Sequence, residues 1–98
     1  SFDPRVGMAW VRLRREPGTN RPPFEPEQRL SGLQALAGYT TMAAAAVGEE
    51  SIAGRIAEGF RADLTGFAED PVDCPADELV SLPVRLTIVD GKITHWNL

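Results

Sequence analysis

The spacing of apolar positions changes once along this chain. From Ser31 onward, apolar and small side chains recur every three or four residues, which is typical of a helix with one buried face. Ser31 and Gln34 have the spacing of a capping box, and Leu30 stands at the position of a hydrophobic staple. The pattern predicts a helix over residues 31–47 that ends at Gly48. Since its face is made of Ala, Thr and Gly more than of Leu, we expect neighbours on more than one side.

A shorter helix is predicted nearer the start of the chain, over residues 5–16. Met8, Val11 and Arg12 follow helical spacing, and a Pro-Gly pair comes directly after the segment. Residues 17–26 contain four prolines and a glycine, so they are predicted to form a loop.

After residue 51 the pattern becomes that of short strands. Asp90-Gly91 is the preferred pair for a type I′ hairpin turn between two alternating apolar runs. The remaining predicted elements are an extended segment 55–57, a turn at 58–59, a strand 62–68, a helix 76–80 and strands 84–89 and 92–96. We therefore predict an α+β fold with two main helices and a small antiparallel sheet that ends in a hairpin.

Composition excludes several classes of protein. The chain has 98 residues, of which 43% are apolar and 24% are charged. These values are not those of a coiled coil, a collagen-like repeat or a highly charged disordered tail. The length corresponds to one small domain with a thin core.

Charge and cysteine usage limit the partners and the compartment. The net charge is −4, and the nearest approach to a basic stripe is Arg12, Arg14 and Arg15, which we interpret as a solvated helix end rather than a nucleic-acid site. No apolar run approaches the ~20 residues of a membrane span, and no signal peptide is recognisable. The single cysteine, Cys74, excludes an internal disulfide and favours a cytoplasmic protein. Nine arginines against one lysine favour a GC-rich bacterial source.

Residue types also limit the chemistry. The chain has one histidine, His95, and one cysteine, Cys74, whereas a transition-metal site needs three or four converging ligands. A Cys74–His95 nucleophilic pair is formally available, but the prolines that flank Cys74 place it in a loop with nothing nearby to lower its pKa. The glycines never have the spacing of a phosphate-binding loop.

One segment is recognisable as a motif. Gly54–Leu64, with the sequence GRIAEGFRADL, resembles the pattern G-x-[IL]-x-x-G-x-x-A-D-[LF] found near the C-terminus of amidohydrolase-superfamily enzymes. Gly54 and Gly59 suit tight turns. Asp63 has two interpretations, a catalytic carboxylate or an acceptor for backbone N–H groups, and its place just before a strand favours the second.

Further matches follow in the family's order. Ser31 to Thr40 is similar to the helix that precedes the motif, Asp70-Pro71 to a following D-P element, and Val84 to Ile93 to the terminal hairpin. Asp3 to Arg14 resembles a stretch of the long-chain, third amidohydrolase group. The resemblance implies that residues 1–50 are the helical tail of a TIM barrel and that residues 51–98 are strands of a composite β-sandwich.

The same resemblance implies a divalent metal, expected to be zinc, in the longer family members. Its ligands there are a His-x-His pair, a Glu or carboxylated Lys, two further His and an Asp in an S-D-x-P motif. Ser1-Phe2-Asp3-Pro4 is superficially similar to that last motif, but its spacing differs, so Asp3 is not expected to be a ligand. We assign no catalytic, cofactor-binding or metal-ligating residue to this chain, and expect it to begin just past the last metal ligand.

Two hypotheses follow. The first is the C-terminal fragment of a metal-dependent enzyme that hydrolyses an amide-type C–N bond, with residues 21–24 serving either substrate specificity or as a proline-rich connector. The second is a free-standing α+β interaction module without catalytic activity. The expected partner is the remainder of a longer chain or a second copy in a homodimer, with no nucleic acid and no membrane.

Overall fold

A computed structural model describes residues 3–97, and its helices and strands form an α+β fold, as predicted. A 3-10 turn, Pro26–Gln28, begins at the last residue of the predicted loop. The other elements, in chain order, are α1 (Pro4–Leu13), α2 (Gly32–Tyr39), α3 (Thr41–Ala46), β1 (Leu64–Phe67), α4 (Ala76–Leu79), β2 (Val84–Val89) and β3 (Lys92–Trp96).

The chain divides into two compact units, each of which joins two separate segments. The first unit runs from the start of the described residues to Leu36 and includes Glu69–Leu82. The second unit consists of Ala37–Ala68 and the chain from Pro83 onward.

Helix α1 begins one residue earlier and ends three residues earlier than the sequence predicts. Asp3 is its N-cap, where the side chain accepts a hydrogen bond from the backbone N–H of Arg5, and Pro4 occupies the first helical position. The helix ends because Arg14 adopts the left-handed conformation, with φ of 58°, while its N–H donates to the carbonyl of Trp10.

The core of the first unit lies between α1 and α4. Met8 and Ala9 of α1 are buried, and so are Leu79 of α4 and Leu82 just after it. Ala35 and Cys74 are the other buried residues of this unit within residues 3–97. The short helix α4 thus supplies the surface that covers α1.

Three arginines of α1 and its C-terminal extension bind the segment that contains α4. Arg5 donates to the carbonyl of Leu82 at 2.8 Å, and Arg12 donates to the carbonyl of Cys74 at 2.9 Å. Arg15 forms a two-point ion pair with Asp77, at 2.9 and 2.7 Å. The interpretation of Arg12 and Arg15 as a solvated helix end is therefore wrong, because both guanidinium groups form hydrogen bonds with the segment that contains α4. Their partners lie 62 positions further along the chain.

The predicted helix over residues 31–47 is two helices rather than one. Its beginning is confirmed, since the N–H of Gln34 donates to the Ser31 hydroxyl and the N–H of Ser31 donates to the Gln34 side chain. The helix is interrupted at Thr40, whose φ of −126° and ψ of −92° are not helical. Two β-branched residues, Thr40 and Thr41, meet at the break, and β-branching disfavours the helical conformation.

The exposed sides of α2 and α3 contradict the expectation of neighbours on more than one side. Leu33 is 65% exposed, Met42 is 64% exposed and Val47 is 71% exposed, whereas Ala35 and Ala44 are buried. Within the described residues, these helices therefore bury a single narrow side each. The predicted end at Gly48 is confirmed by its φ of 75°.

The second unit contains a three-stranded antiparallel sheet in the order β1-β2-β3. Strands β2 and β3 have the predicted bounds, and Asp90 and Gly91 between them have φ of 49° and 79°, as a type I′ turn requires. Ile88 pairs with Ile93, and a bulge lies between Thr87 and Ile88. The predicted strand 62–68 is shortened to β1.

The predicted extended segment 55–57 is wrong. Residues 51–55 form turns and bends, residues 56–57 are irregular, and neither pairs with a strand of the described sheet. The predicted turn at 58–59 is present. Ile56 is 89% exposed, so no packing surface within residues 3–97 holds this segment in a strand. The remaining predicted element, the helix at 76–80, is confirmed with one residue fewer.

We expect Gly32→Ala and Gly38→Ala, both in α2, to change stability in opposite directions. A Cβ at Gly32 would collide with the backbone carbonyl oxygen of Val72, so the substitution should lower the free energy of unfolding by about 1–3 kcal/mol. A Cβ at Gly38 meets nothing within 4 Å and should gain up to ~1 kcal/mol of helix propensity. Urea unfolding of both variants measures the difference, and equal stabilities would contradict the close approach at Val72.

The Arg15–Asp77 pair predicts a defined pH dependence. The Arg15 guanidinium, with help from the Gly18 N–H, lowers the pKa of Asp77 to about 2 from its ordinary 3.8. Because the folded pKa is the lower one, this stabilisation is present above pH 3.8 and is lost as the pH falls toward 2. Asp77→Asn should therefore be less stable than the parent chain at pH 6, and the difference should disappear as the pH falls through about 2.

Asp73→Asn is the matched control for this experiment. Asp73 lies in the same segment, is exposed, and has no side-chain hydrogen bond or ion pair within residues 3–97. Its substitution should shift the urea midpoint little at any pH. A similar pH-dependent loss in both variants would show that general charge, and not the ion pair, is responsible.

Candidate functional site

The Gly54–Leu64 segment lies in the second unit and begins with a tight turn against α3. Gly54 has φ of 92°, and a Cβ there would lie 2.8 Å from the carbonyl oxygen of Thr40 and 2.8 Å from the Cβ of Ala44. Glycine is thus required at Gly54 both by conformation and by close approach. Gly59, with φ of 85° and open space around it, is required by conformation alone.

Asp63 ends this segment by holding the hairpin turn. Its carboxylate accepts a hydrogen bond from the backbone N–H of Asp90 at 2.7 Å. Beside it, the N–H of Gly91 donates to the carbonyl of Ala62 at 2.9 Å. The interpretation of Asp63 as an acceptor for backbone N–H groups is therefore confirmed. The residues of the recognisable motif position backbone in this chain.

Asp3 is engaged by its own helix. Besides capping α1, its carboxylate accepts hydrogen bonds from the side chain of Arg5, the shortest at 2.6 Å. These side-chain hydrogen bonds, opposed by partial burial, hold the pKa of Asp3 below its ordinary value. Ser1 and Phe2, which precede Asp3 in the S-D-x-P-like sequence, lie outside the described residues.

Cys74 and His95 each have a polar partner within their own unit. Cys74 belongs to the first unit, where its buried thiol lies 3.5 Å from the carbonyl of Pro75. Burial raises the pKa of Cys74, which is the opposite of what a nucleophilic thiolate needs. His95 belongs to the second unit, where its Nε2 lies 2.9 Å from the carbonyl of Val84. Neither residue has the surroundings of an activated nucleophile and its base.

The described residues do not fit a metal ion. Between residues 3 and 97, no group of three or more His, Cys, Asp or Glu side chains could hold one. No helix in that part of the chain is long and apolar enough to cross a membrane.

The loop after α1 contains an arrangement that the sequence patterns did not reveal. The guanidinium of Arg14 covers the ring of Phe24 at 5.5 Å from its centroid and lies 3.5 Å from the Glu25 carboxylate. Of the four loop residues considered for substrate specificity, Arg21 is mostly exposed and lies 4.0 Å from Glu16. Only Phe24 of that group joins a cluster. The sequence marks Arg14 as the end of the Asp3–Arg14 stretch, but no motif or spacing relates it to Glu25.

Comparison with known proteins agrees with the recognisable motif. A family model described as the amidohydrolase family matches residues 1–95. No solved structure matches the chain significantly.

Two curated relatives also match. The N-substituted formamide deformylase of Arthrobacter pascens is 38% identical over 88 residues, which are 90% of this chain and 16% of the relative. A Bacillus subtilis (strain 168) protein named as an amidohydrolase, YtcJ, is 30% identical over 94 residues, which are 95% of this chain and 18% of the relative. The chain thus spans less than a fifth of the length of these relatives. The match to the family model covers nearly the whole chain, and the chain belongs to the amidohydrolase family.

Proposed function

We propose that this chain is a structural segment, from the C-terminal part, of a longer hydrolase that cleaves an amide-type C–N bond. The observation that carries the proposal is the use of the family motif: Asp63 holds the N–H of Asp90, and Gly54 lies against α3. Residues that hold backbone in this way support a scaffold and leave the bond-breaking groups to other parts of the protein. The family match over residues 1–95 supports the hydrolase class.

The substrate class follows from the relatives only as a starting point. One relative is named for the deformylation of N-substituted formamides, and it is 38% identical to this chain. We therefore propose a linear N-substituted amide as the first substrate to test, before cyclic amides and N-acyl amino acids. The alternative of a free-standing interaction module has no specific observation in its favour.

The proposed domain arrangement places residues 1–50 at the end of a catalytic barrel and residues 51–98 in a small β-sandwich. Helices α1, α2 and α3 all precede residue 51, and all three strands follow it, which supports the division. Helix α4 of the second part packs against α1 of the first, so the two parts are joined by a common core.

The cytoplasmic location proposed for the protein rests on its single free cysteine.

The divalent metal that the family resemblance implies is proposed to be bound outside this segment. The residues between 3 and 97 offer no ligand group for it, so no step of hydrolysis is assigned to them. Their proposed contribution is to hold the fold of the longer enzyme.

The proposal predicts that the 98-residue chain alone has no hydrolytic activity. With zinc added, it should release no formate from an N-substituted formamide and bind no stoichiometric metal in equilibrium dialysis. An antibody against the chain should detect a polypeptide of several hundred residues in the source organism, and that polypeptide is the positive control for activity. Zinc-dependent turnover by the short chain, or a natural polypeptide near 10.6 kDa, would contradict the proposal.

We propose that the exposed apolar surface of the second unit binds the rest of the longer protein or, in the isolated chain, a second copy. The second unit leaves apolar side chains uncovered in an irregular segment and on an edge strand, where Ile56 is 89% exposed and Trp96 is 61% exposed. Its single buried residue among the described residues is Ala44, which is 8% exposed. Exposed edge strands and apolar patches both favour association with another chain.

The isolated chain is therefore expected to form a homodimer at micromolar concentration. Sedimentation velocity measures its mass directly, and binding of a hydrophobic dye reports any surface left uncovered. A second test is the variant Trp96→Lys. It places a charge on the edge strand β3 and should shift the equilibrium between dimer and monomer toward the monomer. A monomer of 10.6 kDa that binds no dye would contradict the proposed self-association.

A further inference from the structure

The turn between β2 and β3 contains the pair of residues in this chain that is most open to a reaction of its own backbone. Asp90 is the only aspartate in the sequence that is followed by glycine. The carboxyl carbon of an aspartate is open to attack by the backbone nitrogen of the next residue, and glycine hinders that attack least because it has no side chain. Both residues are exposed, and a Cβ at Gly91 would meet nothing within 4 Å. The Asp90 carboxyl makes no hydrogen bond or ion pair within residues 3–97, so it is accessible to the attacking nitrogen.

Two hydrogen bonds to the residues just before β1 hold this turn closed. The N–H of Gly91 donates to the carbonyl of Ala62 at 2.9 Å, and the N–H of Asp90 donates to the carboxylate of Asp63 at 2.7 Å. The nitrogen of Gly91 reaches the Asp90 carboxyl only if the peptide between them rotates and the nitrogen loses its proton. Because both changes break the hydrogen bond to Ala62, the reaction requires a locally opened form of the hairpin. The population of that form depends on these two hydrogen bonds.

We propose that Asp90 is a site of spontaneous isomerisation to isoaspartate and that Ala62 and Asp63 slow this reaction by holding the turn closed. The Gly91 nitrogen loses its proton and bonds to the side-chain carboxyl carbon of Asp90, while a C–O bond of that carboxyl breaks and water leaves. The product is a cyclic imide. Water then adds to the main-chain carbonyl carbon of Asp90, and the bond from that carbon to the Gly91 nitrogen breaks. The chain now continues through the side-chain carbons of Asp90, with no net change in mass and no reactant other than water.

The isomerised chain does not fit the hairpin. Its backbone has an additional carbon between Val89 and Lys92, which pair with each other in the native sheet. The type I′ turn depends on two consecutive residues with positive φ, and a longer backbone shifts the pairing on either side of it. Strand β3 pairs with β2 alone in the described sheet, so isomerisation should loosen this edge strand. The proposal concerns the hairpin and does not depend on the hydrolase activity proposed above.

The test compares the folded 98-residue chain with the same chain unfolded in guanidinium chloride, both kept at neutral pH and sampled over time. Trypsin cleaves after Arg85 and Lys92, so Asp90 is recovered in the peptide of residues 86–92. The isoaspartate form of this peptide has the same mass but a different chromatographic retention and fragmentation pattern. The unfolded chain should isomerise at Asp90, and the folded chain should do so at least about tenfold more slowly. Asp73 is the internal control, since it is followed by cysteine and should isomerise far more slowly than Asp90 in the unfolded chain.

Three variants show whether the restraint is local. Asp63→Ala removes the acceptor for the Asp90 N–H and should raise the rate in the folded chain about tenfold. Asp63→Asn keeps an oxygen acceptor and should retain most of the protection, although both variants lose the ion pair with Arg61 at 4.0 Å. Gly32→Ala, which destabilises the first unit, controls for a general loss of stability and should leave the rate unchanged.

The proposal is overturned if the folded and unfolded parent chains react equally fast, or if the unfolded chain forms no isoaspartate at Asp90. Equal rates in the Asp63→Ala and Asp63→Asn variants, or equal acceleration by Gly32→Ala and Asp63→Ala, would also overturn it. The comparison of folded with unfolded chain uses the unsubstituted sequence, so it stands even where a variant fails to fold.

Discussion

The attachment of α1 to the segment around α4 is the interaction on which the first unit depends. Side-chain nitrogens of Arg5 and Arg12 bind backbone carbonyls of Leu82 and Cys74, and Arg15 binds a carboxylate. Few apolar side chains are buried between the two helices, and apolar contacts by themselves give the helices little directional preference. Charged donors have fixed geometry and strong directional preference, and they therefore set the register in which the two helices pack.

Local signals account for the part of the fold that the sequence predicts correctly. The capping box at Ser31, the type I′ turn at Asp90-Gly91 and the bounds of the last two strands each depend on residues close together in the chain. The role of Asp63 was also accessible, because a carboxylate just before a strand commonly accepts backbone N–H groups. The interruption at Thr40 was not, since a period of three to four residues continues across it and only the backbone changes.

The residues whose roles the sequence predicts wrongly are those whose partners lie far along the chain. Arg15 has the pattern of a solvated helix end, and nothing near it in sequence indicates Asp77, which is 62 residues away. Segment 55–57 contains one β-branched residue, Ile56, yet a strand also needs a neighbour to pair with, and the segment itself does not encode that neighbour. The arrangement of Arg14 and Glu25 is missed for the same reason. The loop brings its two sides together, and no spacing rule relates them.

The discontinuity of the first unit has a consequence for synthesis on the ribosome. Helix α1 ends at Leu13, but the groups that cover it lie at residues 71–82, after all of residues 37–68 have been made. At about 5–20 residues per second, the ribosome takes roughly 3 to 14 seconds to proceed from residue 13 to residue 82. An isolated helix of 10 residues is marginal in water, so Met8 and its neighbours remain accessible to chaperones throughout that time. Helix α1 is therefore synthesised well before the residues that cover it, and it becomes native only after they have been made.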